Sequence, residues 1–244
     1  MTKPQYIYSK GNCFFCGKIV QNMSTGQHLN YCRKRKEAIA SIEANPNHSP
    51  CSFHYHLRIA DTALPTFWLH LEMNGTAILA DLAFYLHLIW LECCQNHNDV
   101  FLSGIGDGFE IVQYAHVDEI LFKDMKFSYA YDFKFNLNKI AKVVESHSIM
   151  RIKVVNVRYG PSLSHQPIIL MARNLPPEAL CQACGKEAQW ICPQCLCELK
   201  KPGTFCNKCI KLHTTHKKYG EPYPIVNSPR MGICNYHGPA IPPY

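Results

Sequence analysis

FHYHLRIADTALPTFWLHLEM, residues 53–73, is the stretch whose reading decides the fold class. Residues 53–60 and 66–73 are rich in aromatic and aliphatic side chains alternating with polar ones. They read as two strands separated by a turn at Pro65. The period then changes. In TAILADLAFYLHLIWLECC (76–94), Leu79, Leu82, Leu86, Ile89 and Cys93 recur at helical spacing and predict a buried helix. Asp81, His87 and Glu92 interrupt this run, so it does not read as a membrane span. KFSYAYDF (126–133), KIAKVVESH (139–147), RIKVVNVRYG (151–160) and QPIILMA (166–172) supply further strands. Strands combined with one main helix predict an α+β domain, a mixed sheet around one buried helix, over residues 45–176. Pro46 and Pro50 mark the linker that precedes it.

Upstream, CFFCGKIVQNMSTGQHLNYC (13–32) spaces Cys13, Cys16, His28 and Cys32 as a three-Cys one-His set. Tetrahedral zinc takes four such donors, and His28 and Cys32, four residues apart, share one face of a helix. Ser24 and Gln27 form a capping box, so a helix is expected to start near Thr25 and to run on through RKRKEAIASIEA. The expected unit is a ββα zinc finger over residues 1–44. Its spacing is similar to DNA-reading fingers and to the ubiquitin-binding fingers of DNA-repair ligases. Arg33, Lys34, Arg35 and Lys36 follow the last ligand and suit phosphate contacts, although cations late in a helix also favour its dipole.

Downstream, CQACGKEAQWICPQC (181–195) and CNKCIKLHTTH (206–216) hold Cys181/Cys184, Cys192/Cys195 and Cys206/Cys209 as three C-x2-C pairs and His213/His216 as H-x2-H. A two-residue gap lets both side chains of a pair reach one ion, so four pairs make two sites. Pairing can be sequential or interleaved. The ligand order resembles a B-box, a cross-braced two-zinc module, which implies interleaving: 181/184 with 206/209, and 192/195 with 213/216. Cys234 and His237, also separated by two residues, can replace the histidine pair or hold a further ion. A module this short, over residues 177–220, cannot bury enough apolar surface to fold alone, so metal binding has to supply folding energy. Residues 221–244 are expected to form a tail packing on the core or on the zinc module. Four protein donors leave no position for a reactive water, which points to scaffolding and away from catalysis.

Fourteen cysteines without a signal-peptide-like apolar start in MTKPQYIYSKGN lead to an expected soluble, cytoplasmic protein that uses thiols for metal, with about three zinc ions and no membrane contact. The formal charge of +7 is uneven: residues 1–40 hold seven Lys/Arg against one acid, 181–218 hold seven against two, and 41–180 hold ten against fourteen. Basic ends around an acidic middle suggest nucleic acid as partner, with Lys217 and Lys218 joining the four finger cations as candidate phosphate contacts.

The stretch YHLRIADTALPTFWLHLEMNGTAILADLAFYLHLIWLECC, with KFSYAYDF, ILMARNLPP and NSPRMGICNYHG, resembles the Ri-plasmid ORF-three-like family, whose members often sit in mobile elements or plasmids. The resemblance covers roughly residues 53 to 240. It implies a genomic context and no particular chemistry. Glu92, Cys93, Cys94 and His97 gather at the end of the expected helix, and His54 and His56 share a strand face, but no nucleophile, base and oxyanion-stabilising group come together. GIGDG (104–108) lacks the lysine of a phosphate loop. The chain therefore reads as a non-enzymatic zinc protein that binds nucleic acid, the alternative being a protein-interaction adaptor.

Overall fold

The computed structural model describes residues 9–45, 47, 49–91, 97–105, 108–135, 143–198, 203–213, 218–236, 238 and 240–244. The chain divides into two compact units: Met1–His87 with Asn96–Leu175 and Pro242–Tyr244, and Leu88–Gln95 with Pro176–Ile241.

The first unit is built on a sheet of β1 (Lys10–Cys13), β2 (Ile19–Gln21), β3 (Ser52–Asp61), β4 (Trp68–Asn74), β5 (Asp99–Leu102), β6 (Glu110–Ile111), β7 (Lys126–Phe135), β8 (Val143–Gly160) and β9 (Ile168–Asn174). Their spatial order is β2-β1-β9-β4-β3-β8-β7-β5-β6. Every pairing among the described residues is antiparallel, which corrects the expected mixed sheet. Antiparallel neighbours need only short connections, and the β3–β4 turn is one of these. Its start is held by the Asp61 carboxylate, which accepts from the backbone N–H of Ala63 at 2.9 Å and Leu64 at 2.7 Å.

On β3 the alternation does not separate core from solvent. Tyr55, Leu57 and Ile59 are buried on one face, and His54 and His56 are buried on the other. The sheet is therefore covered on both sides at its centre, and the second face is a buried polar one. The helix expected over 76–94 is α-helical only in part. It starts at Leu79, where the Asp81 carboxylate accepts from the Ile78 N–H at 3.0 Å, and changes to a π-helical turn over His87–Leu91; residues 92–96 lie outside the described residues. The two strands expected at 139–147 and 151–160 are, from residue 143 onward, one strand, β8, residues 139–142 lying outside the described residues. No Gly or Pro separates them, and β8 is paired with β7 from Val143 and with β3 up to Gly160. β5, β6 and a one-turn helix Val117–Ile120 were not legible in the sequence, because segments of two to four residues carry too little periodicity to register.

At the N-terminal end, Thr25–Tyr31 (α1) and Arg33–Glu43 (α2) are two helices where one was expected. The break falls on the fourth ligand: Cys32 has an extended backbone, φ −61° and ψ 112°. The capping box at Ser24 does not form. Residues 22–24 already make a 3₁₀ turn, so Ser24 is helical, and its hydroxyl donates back to the Gln21 carbonyl at 3.3 Å. The hairpin β1–β2 is no separate sheet either, since β1 pairs with β9 through Gly11↔Asn174, Asn12↔Arg173 and Cys13↔Ala172. The sheet thus runs on across the boundary expected at residue 44. Gly11 permits this approach: a Cβ there would stand 2.2 Å from the Arg173 carbonyl oxygen and 2.4 Å from the buried Trp68 ring. Gly11→Ala is expected to cost about 1–3 kcal/mol in denaturant unfolding, the range of overpacking in a well-filled core. No measurable loss would mean that β1 does not lie against β9 this closely.

The second unit holds the three-stranded antiparallel sheet β11-β10-β12, with β10 Trp190–Ile191, β11 Thr204–Phe205 and β12 Tyr223–Pro224, and short helices Pro193–Glu198 and Asn207–Leu212. The segment expected to be a tail supplies β12, which pairs with β10 through Trp190↔Pro224 and Ile191↔Tyr223. Further along, the Ser228 hydroxyl donates to the Trp90 carbonyl at 2.6 Å, and the Arg230 N–H donates to the Ser228 oxygen at 3.0 Å. Among the described residues no helix is long and apolar enough to cross a membrane.

Candidate metal centres

In the first unit the β1–β2 turn and α1 converge on one point. The ligand atoms of Cys13, Cys16, His28 and Cys32 all lie within 4.8 Å of one another. Cys13 Sγ is 4.0 Å from Cys32 Sγ, and Cys16 Sγ is 3.5 Å from His28 Nε2. Two sulfurs each about 2.3 Å from a tetrahedral zinc stand about 3.8 Å apart, so these are edges of a metal-sized tetrahedron. The break at Cys32 serves the same geometry: it turns the backbone where the fourth thiol has to face the other three donors. Burial pushes the Cys13 thiol up to about 11. Burial also opposes ionisation of Cys16, but the backbone N–H of Lys18 donates to it and its thiol is held below the ordinary range. Burial, and then Lys18, lower His28 and keep the imidazole neutral, the form that binds metal. A cation bound here displaces the thiol protons.

In the second unit the ligand sets alternate along the chain. Cys181, Cys184, Cys206 and Cys209 form one group within 4.8 Å, and Cys192, Cys195 and His213 form another. The grouping is the interleaved one. Cys184 and Cys206 sulfurs are 3.7 Å apart, and Cys195 Sγ is 3.3 Å from His213 Nε2, whose ring stacks on Phe205 with centroids 4.3 Å apart. The fourth donor expected for the second group, His216, lies outside the described residues, as do Lys217 and His237. Cys234 is exposed in a 3₁₀ turn over Ile233–Asn235. In the four-cysteine group the protons are unevenly held. Burial works against Cys181, but N–H groups of Cys206, Ala183 and Cys184 bring it down to about 6, while the neighbouring thiols Cys206, Cys184 and Cys181 push Cys209 up to about 12. Four thiolates at this spacing need a cation between them.

One local feature is open to view in the sequence without any knowledge of the fold: C-x2-C-G-K occurs twice, as CFFCGK (13–18) and CQACGK (181–186). Both copies fold alike. The first Cys donates its N–H to the Lys carbonyl, at 3.0 Å in one copy and 2.6 Å in the other, and its carbonyl accepts from the Gly N–H at 2.8 Å in both. Gly17 at φ +69° and Gly185 at φ +71° occupy the left-handed region, with open space where a Cβ would stand.

The six candidate phosphate contacts fare differently. Arg33 and Lys34 are exposed, with 91% and 65% of their side chains accessible, and share Glu37 at 2.7 and 2.9 Å. Lys36 lies over the Tyr31 ring at 5.4 Å, and Lys218 over Tyr219 at 5.3 Å. Arg35 does not face solvent, which corrects its reading as a phosphate ligand. It is buried and donates to Glu72 at 2.6 Å, while Arg158 clamps the same carboxylate through both Nε and a terminal nitrogen. The α-helical period explains this, since in a run of four consecutive cations one residue faces inward.

His54 and His56 are both occupied structurally. His54 Nε2 bonds the Gly160 carbonyl at 3.0 Å, and His56 Nε2 lies 2.7 Å from His70 Nδ1. Glu92, Cys93 and Cys94 lie outside the described residues, and His97 pairs with Asp132 at 2.9 Å.

No family model and no curated protein matches the chain. Among solved structures, a protein of unknown function from Methanosarcina mazei Go1 is similar, with 12% identity, 55% of this chain and 75% of that chain covered, and a TM-score of 0.35.

Proposed function

We propose that this is a non-catalytic protein folded around about three zinc ions, which binds nucleic acid through the basic surface beside its N-terminal site. Zinc is favoured because the donors are thiolates and imidazoles in tetrahedron-sized groups, the chemistry that selects this ion in structural sites. The alternating ligand sets of the second unit support a B-box-like module. The residues quoted above support kinship with the Ri-plasmid ORF-three-like family and hence a mobile-element context.

The observation that carries the nucleic-acid reading is the surface beside the N-terminal site, where Lys18, Arg33 and Lys34 stand with the exposed Tyr31 around a pocket that also takes in the proposed zinc ligands Cys16, His28 and Cys32. Cations for phosphates beside an aromatic ring for a base are what a nucleic-acid groove requires. The Arg33 and Lys34 pairs with Glu37 are solvent-exposed, hold little energy and open readily to a phosphate. Titration of the zinc-loaded protein with labelled single- and double-stranded nucleic acid at several salt concentrations tests this. Arg33→Ala with Lys34→Ala is expected to reduce the slope of log K against log salt by about 2, one for each phosphate no longer neutralised. An unchanged slope sinks the reading. A protein adaptor is the second reading, favoured by the exposed Phe14, Ile19 and Met23 on the same finger; binding to no nucleic acid at low salt would select it.

A further inference from the structure

On the other side of α1 lies a second cavity, of about 500 Å³, whose helix wall includes Gln27, Asn30 and Tyr31 and whose sheet wall includes Arg58, His70 and Lys153. The sheet-wall residues are direct cross-strand neighbours: Arg58 on β3 is in register with His70 on β4 and with Lys153 on β8. His70 is only 1% exposed. Its Nδ1 is bound to His56, and its Nε2 has no partner among the described residues although it is buried. A buried polar atom of this kind is costly unless something satisfies it. The two cations beside it retain donors. Arg58 spends one of its five on the Asn22 amide oxygen at 2.9 Å, and Lys153 makes an open surface pair with Asp124 at 2.9 Å.

We propose that this cavity binds a single nucleotide unit, a planar base with an attached phosphate. The positive sheet wall takes the phosphate. The amides of Gln27 and Asn30, each both donor and acceptor, match the polar edge of a base, and Tyr31 offers a stacking face, while His70 forms the buried floor beneath them. The volume lies in the range of small-molecule sites, roughly 300–1,000 Å³. The unit comes either from a free mononucleotide or from a residue of a bound strand. Because Gln27 and Tyr31 also line the basic pocket described above, α1 stands as a ridge between the two. The second source rests on the nucleic-acid reading, and the first does not.

The full-length zinc-loaded protein is titrated calorimetrically with each of the four 5′-ribonucleoside monophosphates, with ribose 5-phosphate, and with an unstructured pyrimidine dodecamer. At least one mononucleotide is expected to bind saturably, and ribose 5-phosphate about tenfold more weakly or not at all. Lys153→Ala is expected to weaken the mononucleotide about tenfold, the worth of one hydrogen bond to a charged group, and Asn30→Ala about threefold to fivefold. Both positions are accessible, and unchanged melting temperatures will show that the variants fold. Loss of dodecamer affinity in Lys153→Ala identifies the strand as the source, whereas an unaffected dodecamer identifies the free nucleotide. No saturable mononucleotide binding, equal binding of ribose 5-phosphate, or indifference to both substitutions overturns the proposal. Dodecamer binding that depends on Arg33 and Lys34 would survive any of these, so the two readings fail separately.

Discussion

Chelating the metal at neutral pH is expected to unfold the second unit's cysteine-rich module while the large sheet stays folded. The module's buried apolar cluster consists of Cys181, Cys192, Cys195, Cys206 and Phe205, so four of its five members are proposed metal ligands. Without a cation this cluster is a group of crowded thiols, and little else is available to hold strands of two residues each. Structural zinc contributes on the order of 10–16 kcal/mol in small metal-dependent folds, more than such a core can replace. The N-terminal site is differently placed. There Cys13 and Cys32 pack with Val20, Leu29, Ala60, Trp68, Met171 and Ala172, and β1 is hydrogen-bonded to β9. Amide hydrogen exchange after chelation should show that protection disappears over residues 181–213 and persists on β3, β4 and β8. Retained protection over 181–213 would mean that the module does not depend on metal. Cys206→Ala should reproduce the local unfolding without a chelator.

Glu72→Gln is expected to destabilise the first unit by about 3–5 kcal/mol, the cost of breaking a buried ion pair from one side. Glu72 is 2% exposed and accepts from both Arg35 and Arg158, so removing its charge leaves the buried Arg35 and the half-buried Arg158 without a counter-ion. Burial raises the Glu72 carboxyl, but the hydrogen bonds and charges of Arg158 and Arg35 outweigh it and hold the group below the usual carboxylate range. A depressed carboxylate stabilises above its unfolded value of about 4.5 and loses that contribution as pH falls through the folded one. His56 and His70 act in the same direction over a higher window. Burial lowers His56 to about 3 and His70 well below 6.5, so the unfolded chain takes up protons that the native one refuses, and stability declines from about pH 6.5 downward. Urea unfolding of the zinc-loaded protein and of Glu72→Gln checks the first figure. A loss under about 1 kcal/mol would show that Arg35 does not anchor α2 to the sheet.

The clusters of candidate ligands were legible because C-x2-C spacing is a local property: two donors separated by two residues reach one ion whatever surrounds them. β3, β4, β7 and β9 were legible for a similar reason, each having enough alternating positions to declare its period. What remained hidden depends on neighbours distant in the chain. Spacing alone left open whether 181/184 groups with 192/195 or with 206/209; the resemblance to a B-box implied the interleaved grouping, and the structure has it. The charge run at 33–36 gave no sign that Arg35 faces inward, because its partner Glu72 is 37 residues away on another strand. Nor does an isolated finger motif reveal that its hairpin extends a nine-stranded sheet, since that requires a glycine at position 11 to meet β9 and Trp68.

The sequence by itself determined the donors, their spacing and the main strands, which follow from short-range geometry. Only the tertiary structure decided which donors meet, which cations remain outside and which histidines are buried, because burial and pairing are set by residues brought together from across the chain.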